Sequence, residues 1–392
     1  MIPAMLLLAY QVIVLLSLLV FAGILLFNLF ELSRLPDLSG DSPSLPTVSI
    51  LVPARNEEAG IEACVLSLLG QNYPSYELIV LDDASSDATP DILRRIEASA
   101  GAVSAGVRLR VVQGKPLPEG WHGKAWACQQ LGEIAEGELL LFTDADTRHE
   151  PDALRRAVEA LRQSGADMLT LTPYQEMQGF WEKLVIPLVY FILLCYLPLR
   201  LVRTSRSPAF CSAIGQFMLF RRGAYRRIGG HGAVRADIVE DVWLCKAVKQ
   251  AGCTVAVFNG IDAVSCRMYR TPGDIIRGFS KNLFAGLGYH TAGLFILVAL
   301  TLAFHVLPYG FLAAALLQAE FSLPFFFMPL FQVILAIICR ALIALRFRQP
   351  IAYALLHAFS QITLAAIALN SFAIARFGKG PQWKGRTYRF NG

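Results

Sequence analysis

Residues 6–30 carry no charged side chain, and a helix rising about 1.5 Å per residue would cross a hydrocarbon core of ~30 Å over that length. Three further apolar runs, at 291–317, 323–345 and 351–375, are each long enough to do the same. A globular domain is thereby confined to the stretch between them, about 46–289, which is long enough for one well-buried core. Residues 1–5 hold no basic side chain, whereas a cleaved signal peptide carries a basic n-region and a shorter apolar core; the first run is expected to be an uncleaved anchor. The expected organisation is an N-terminal transmembrane anchor over 1–31, a globular domain over 46–289, about three membrane helices over 290–376 and a basic tail over 377–392.

Basic residues favour the cytoplasmic side. The first one, Arg34, follows the anchor, and the turn Arg346-Phe347-Arg348 is basic while the link near Glu320 is not. Both place the globular domain inside, so an integral protein of the inner or plasma membrane facing the cytoplasm is expected. Four crossings would then put the tail outside, yet it carries Arg376, Lys379, Lys384, Arg386 and Arg389, so its side stays open. Residues 184–202 are also apolar, but they contain Pro187 and Pro198 and are flanked by charge. We read them as interfacial or re-entrant, with Lys183, Arg200 and Arg203 at the headgroups. A crossing here would separate the acidic residues discussed below.

Composition excludes other classes. Of 392 residues 55% are hydrophobic and 17% charged, against about 25% charged in soluble domains, which argues against disorder and against a wholly soluble chain. A net charge of +5 is too small to imply a nucleic-acid partner. The eight cysteines form no C-x-x-C pair and read as reduced core or membrane residues.

Within the globular stretch, Val/Ile/Leu-rich runs at 47–52, 77–81, 107–112 and 138–142 alternate with helical patterns at 61–69, 89–98 and 124–133. Such alternation predicts parallel βαβ units. Leu154, Ala157, Val158 and Leu161 make one apolar helical stripe. Ligands of such sheets bind beyond the carboxyl ends of the strands, where Pro53-Ala54-Arg55-Asn56-Glu57-Glu58, Asp82-Asp83 through Thr89, and Thr143-Asp144-Ala145-Asp146-Thr147 fall. Asp87 and Thr89 suit helix capping. Three coincident acidic rims exceed what capping requires. Asp144 and Asp146 are expected on one side of an extended segment, where hard oxygen ligands suit Mg²⁺ or Mn²⁺. A D-x-D phosphatase would want Thr or Val where this chain has Arg148.

The series Pro53 to Glu57, Asp82-Asp83, Gly123-Lys124-Ala125-Trp126-Ala127, Asp144-Ala145-Asp146 and Glu240-Asp241 resembles the membrane-bound family 2 glycosyltransferases. Gly215-Gln216-Phe217-Met218, Gly229-Gly230-His231, Gly278-Phe279-Ser280-Lys281-Asn282 and the tail Trp383 to Tyr388 resemble the ceramide glucosyltransferase-like and carotenoid- or hopanoid-associated groups within them. The resemblance implies an α/β GT-A fold, Rossmann-like with a mostly parallel sheet. It implies a donor site of Pro53, Arg55, Glu57, Asp83, Lys124 and Asp144, a divalent metal on Asp146, and Asp241 as general base beside Glu240. Either of the last two could alternatively serve a helix N-terminus, and Lys124 could be an ordinary exposed lysine.

Gln216, His231, Arg277 and Lys281 are expected to contact the acceptor or the diphosphate; Arg277 and Lys281 fall on one helix face and could instead snorkel. His122 and His149 flank the donor rim, and Trp121 and Trp126 could stack on a base or pack. The implied activity is inverting transfer of one sugar from a nucleotide-sugar, taken as a UDP-sugar, to a membrane lipid bearing a hydroxyl or carboxyl group. Many processive and ceramide-type relatives carry (Q/R)-x-x-R-W where this chain reads Arg277 to Asn282 without Trp. That departure disfavours the alternative of a polysaccharide synthase. A catalytically silent assembly partner is the other alternative, although all the expected carboxylates are present.

Overall fold

The computed structural model describes residues 2–38, 45–103, 107–378, 380 and 382–387. Lys379, Tyr388 and Arg389 of the tail lie outside the described residues. The chain forms two compact units, one of Met1–Glu31, Met177–Pro198 and Tyr269–Gly392, the other of Leu32–Glu176 and Leu199–Met268.

The second unit is built on a sheet whose strands are β1 (Val48–Ala54), β2 (Tyr76–Asp82), β3 (Arg108–Gln113), β4 (Leu139–Phe142), β5 (Thr147–His149), β6 (Met168–Gln175), β7 (Met218–Arg221) and β8 (Val255–Cys266). They lie in the order β3-β2-β1-β4-β7-β6-β8-β5. The pairs β1–β2, β1–β4, β2–β3 and β6–β8 are parallel; β7 and β5 run antiparallel to their neighbours. The expected mostly parallel α/β sheet is present. β2 and β4 are buried throughout, and their apolar runs Leu78–Leu81 and Leu139–Phe142 suit strands covered on both faces. Helix Ile61–Leu69 buries Ile61, Cys64, Val65, Leu68 and Leu69, one face at helical spacing. Helix Ala153–Ser164 likewise buries Leu154, Ala157, Val158 and Leu161 and stops at Gly165, whose φ of +64° suits a left-handed cap.

Two ties in this unit had no local signal. Arg156 donates to the carbonyls of Leu35 and Pro36 (3.0 and 3.1 Å) and so straps the start of the unit to its core. The Lys249 ammonium, almost fully buried, donates to the carbonyls of Leu201 (3.2 Å), Ser205 (2.9 Å) and Phe210. It thereby ties the end of helix Leu199–Thr204 to the loop that follows it.

Among the described residues the apolar unit contains four helices long and apolar enough to cross a membrane: Met5–Glu31, Thr291–Gln318, Leu323–Arg346 and Ile351–Phe377, close to the four runs read from the sequence. The 184–202 stretch is not one helix. It consists of Phe180–Val185, Pro187–Tyr196 and Leu199–Thr204; Ile186 keeps helical angles between the first two, and the break falls at Leu197-Pro198. Pro187 opens the middle helix, and Leu197, held extended before Pro198, closes it. Residues up to Pro198 belong to the apolar unit and those from Leu199 to the sheet unit. Buried Asn28 caps the middle helix, its amide donating to the carbonyls of Leu194 (2.9 Å) and Leu197 (2.7 Å).

Replacing Asn28 with Leu leaves both carbonyls without this donor, so Asn28→Leu is expected to lower stability by about 1–3 kcal/mol. Thermal unfolding of the detergent-solubilised protein checks this, and an unchanged midpoint would remove the capping role.

Candidate active site

Because β1, β2 and β4 are parallel neighbours, the segments after them arrive at one rim. β7 runs antiparallel to β4, so the segment before it, Gly215-Gln216, reaches the same rim.

The turn after β1 is tied to the loop after β2. Pro53 pairs with Leu81 across the strands, and the Asp83 N–H donates to the Ala54 carbonyl (2.8 Å). The Arg55 guanidinium donates to the carbonyls of Asp83 and, at 2.9 Å, Ala84, so it braces the loop that presents buried Asp83. Asn56, at φ +52°, accepts from the Ser86 N–H (2.8 Å), and the Glu57 N–H donates to Thr89 Oγ1 (2.8 Å). Asp87 accepts from the N–H groups of Thr89 (3.0 Å) and Glu58 (3.1 Å), so it joins the two loops as well as capping its own helix.

After β4 the chain turns at Ala145-Asp146 before β5 begins; the extended segment expected through Asp144 and Asp146 is absent. The turn forms because Thr147 Oγ1 donates back to the Asp144 carbonyl (2.7 Å). Beneath it the Thr143 and Thr147 hydroxyls and His149 Nε2 stand 3.0–3.1 Å apart. Burial holds His149 neutral, with its pKa lowered to about 3. Its ring is taken up in this support.

Lys124, in the first turn of helix Gly123–Ile134, places its ammonium 2.7 Å from Asp144 Oδ1 and 2.7 Å from Glu240 Oε1. Burial alone would lower this lysine, but the two carboxylates outweigh it and hold it well above its ordinary value. A Cβ on Gly215 would stand 3.0 Å from that ammonium and 3.6 Å from Asp241 Oδ2, so only glycine leaves the space clear. Asp241, beside Glu240 at the start of helix Glu240–Gln250, accepts from the N–H of Gly215 (3.0 Å) and Val242 (2.8 Å). Burial, then the Glu240 charge, raises it to about 6, against the opposing pull of Lys124.

Asp146 has one enclosed oxygen, Oδ1, with no hydrogen-bond partner, and its carboxylate takes a hydrogen bond from Cys266. Burial, then Asp144 and Glu57, raise it to about 7. An orphaned carboxylate oxygen between two other carboxylates fits a hard divalent cation, which lowers all three charges at once. Among the described residues no cluster of three or more His, Cys, Asp or Glu side chains forms a ready cage; Mg²⁺ and Mn²⁺ need only one or two carboxylates when substrate phosphates complete the shell.

The remaining expected residues are engaged within the protein. Gln216 is buried; it accepts from the Gln175 amide (2.8 Å) and donates to Cys266 Sγ (3.0 Å). It thus continues the chain of bonds that ends on Asp146. His231 is fully buried, with Nδ1 2.8 Å from the Tyr225 hydroxyl and its ring 4.7 Å from that of Phe142. A Cβ on Gly230 would stand 2.9 Å from the Tyr225 ring, so that glycine serves packing. Trp121 and Trp126 contact edge to face at 4.9 Å. Arg277 and Lys281 stand on helix Pro272–Gly286 of the apolar unit, where exposed Arg277 pairs with Asp274 at 2.7 Å. Gln175 and Cys266 were missed because nothing in their local sequence marks them. Thr143 and Thr147 carried a signal, hydroxyls bracketing an acidic pair after an apolar strand.

Residues 49–229 match the family described as Glycosyl transferase family 2. The chain is 26% identical over 305 residues to a 4,4'-diaponeurosporenoate glycosyltransferase of Staphylococcus haemolyticus (strain JCSC1435), covering 77% of this chain and 78% of that one. It is 28% identical over 270 residues to one of Staphylococcus aureus (strain USA300), covering 68% of each. In fold it is similar to a mannosyltransferase from Pyrobaculum calidifontis solved in complex with GDP-Man and Mn2+, with a TM-score of 0.54, 20% identity, and 93% of this chain and 99% of that chain covered.

The raised Asp146 has a consequence for stability. Unfolded, it titrates near its ordinary 3.8; folded, it holds its proton to about pH 7. Between those values the folded state binds more protons, so stability falls as pH rises. Asp146→Asn escapes that loss, and in EDTA the variant should gain on the wild type from pH 4 to pH 7 and keep the gain above. Urea midpoints at pH 5 and pH 8 measure it, and equal differences at both would refute it.

Proposed function

We propose that this chain, which resembles the family 2 glycosyltransferases, moves a single sugar from a nucleotide-sugar, taken as a UDP-sugar, to a lipid acceptor at the membrane, inverting the anomeric carbon. The observation that carries the reading is the convergence of Asp144 and the Glu240-Asp241 pair on Lys124, at the rim that also receives the loops bearing Asp83 and Asp146. The relatives named for 4,4'-diaponeurosporenoate support an apolar acceptor. Four helices of bilayer length support its source in the membrane.

In this mechanism Asp83, with the 53–57 turn, receives the base and ribose, and Arg55 keeps that loop in place. Lys124 gives a charge-assisted bond to a phosphate oxygen, and Asp144 meets the sugar or would help to hold the cation. Asp146 would hold a divalent cation, Mg²⁺ or Mn²⁺, which offsets the charge that develops on the departing nucleoside diphosphate. Asp241 accepts the proton of the acceptor hydroxyl. A base titrating near 6 is ionised at neutral pH yet still basic enough to take that proton. Attack from the face opposite the leaving group inverts the sugar. A carboxylate acceptor would arrive already ionised and would not need Asp241, so the response to its removal also reports the acceptor's chemistry.

Membranes containing the protein should transfer labelled sugar from a UDP-sugar to extractable lipid. With a hydroxyl acceptor Asp241→Asn should lower kcat by about 10²–10⁴ while nucleotide binding persists, and the wild-type rate should rise through about pH 6 and level above it. Normal transfer by the variant to such an acceptor would remove the assigned base. In calorimetry, Asp146→Ala should lose the part of UDP affinity that depends on Mg²⁺ or Mn²⁺; unchanged affinity would remove the metal assignment.

A further inference from the structure

The apolar unit buries a positive charge that no carboxylate among the described residues pairs with. Arg340 lies on helix Met328–Arg346 and is 2% exposed, the largest of the fully buried side chains. Its position is about 9 Å from the helix end at Arg346, yet it turns inward instead of reaching for that end. The acidic residues of this unit are Glu31, Glu182, Asp274 and Glu320. Glu182 accepts from the N–H of Gln178 and Gly179, Asp274 pairs with Arg277, and Glu320 accepts from Ser322. From Phe321 to the end the sequence contains no Asp or Glu. Among the described residues Arg340 has no carboxylate partner; one of its Nη groups donates to Gln349 Oε1 at 3.4 Å, and its Nε is buried without an acceptor.

Two more donors in the same corner are in the same condition. Gln349, also buried, spends its oxygen on Arg340, and its Nε2 has no acceptor. His357, fully buried and within electrostatic reach of Arg340, has its Nε2 3.1 Å from Nδ1 of His305, whose own Nε2 meets the Tyr196 hydroxyl at 2.8 Å. With His357 Nε2 as the acceptor, the His305 proton sits on Nδ1 and the Tyr196 hydroxyl proton points to His305 Nε2. The Gln361 amide also approaches His357 Nε2, at 3.5 Å. The His357 proton is therefore on Nδ1, and Nδ1 is buried without a partner.

The Arg340 Nε, the Gln349 amide and the His357 Nδ1 are enclosed donors without acceptors, and donors of this kind suit a carboxylate or a phosphate. A charge inside a membrane segment faces the bundle interior and takes a partner there. Water has little access to a side chain buried to this extent, while Ile338, Leu345 and Leu355 on the neighbouring turns are exposed and aliphatic, as a surface facing acyl chains would be. We propose that Arg340, Gln349 and His357 bind the anionic headgroup, a carboxylate or a phosphate, of one lipid molecule taken from the bilayer. The site lies wholly in the apolar unit and does not depend on sugar transfer.

The test uses the full chain, purified in an uncharged detergent, with thermal midpoints read against added oleate, dioleoyl phosphatidate, oleyl alcohol, sodium acetate and inorganic phosphate. Oleate, phosphatidate or both should raise the midpoint in a saturable way, and the three other additives should not. The response should vanish in Arg340→Gln and shift to at least tenfold higher lipid concentration in Gln349→Leu. A response to oleate alone assigns a carboxylate, and one to phosphatidate alone assigns a phosphate. An equal response to oleyl alcohol, an equal response to acetate or phosphate, an undiminished response in Arg340→Gln, or no response to either anionic lipid would each overturn the proposal. If Arg340→Gln does not fold, the contrast between charged and uncharged lipids in the wild type and the Gln349→Leu shift decide.

Discussion

One ammonium group organises the acidic end of the sheet. Lys124 draws Asp144, from the turn after β4, and Glu240, from a helix start far along the chain, to 2.7 Å each. Without it the carboxylates around that point would repel one another in a setting that already penalises their charge. Removing one partner from a buried ion pair costs about 3–5 kcal/mol, chiefly through the charge left behind. The geometry also explains Gly215, since any side chain there would meet the ammonium.

Charge at this rim is divided unequally. Asp144 and Glu240 share Lys124, whereas Asp146 and Asp241 are raised to about 7 and about 6. Carboxylates in different environments take different roles: one that is costly to ionise alone favours a cation, and one raised by burial and Glu240 against the pull of Lys124 and two N–H bonds favours proton transfer. Behind them Gln175, Gln216, Cys266 and Asp146 form a continuous run of polar contacts. A change at buried Gln216 would reach Asp146 without either residue touching a common ligand.

The apolar unit obeys a different economy of polar groups. Away from water, each one needs a partner inside the bundle. Asn28 caps a broken helix, Gln332 donates to the side chain and backbone of Gln11 (3.0 and 2.9 Å), and Ser371 accepts from the Phe284 N–H (3.0 Å). Gln11 and Gln332 each still keep one buried atom unmatched, but at Arg340, Gln349 and His357 the unmatched atoms are donors beside a charge that no carboxylate offsets.

The four bilayer-length runs, the alternation of strands and helices, and the acidic loops after β1, β2 and β4 were all legible in the sequence. Each depends on local periodicity or on the rule that loops after parallel strands share a rim. Arg55, Gln216 and His231 were recognised as motif residues, but a motif does not tell where a side chain points. The fold directs Arg55 to backbone carbonyls, Gln216 into a buried amide chain and His231 against Tyr225. Arg277 and Lys281 share a helix face as expected, and only the tertiary arrangement assigns that helix to the apolar unit. The turn at Asp144–Asp146, the bridge through Lys124 and the uncompensated Arg340 were equally beyond local reading. Each depends on which distant segment arrives beside it, and charge balance in a buried place is settled by neighbours in space, not by neighbours in sequence.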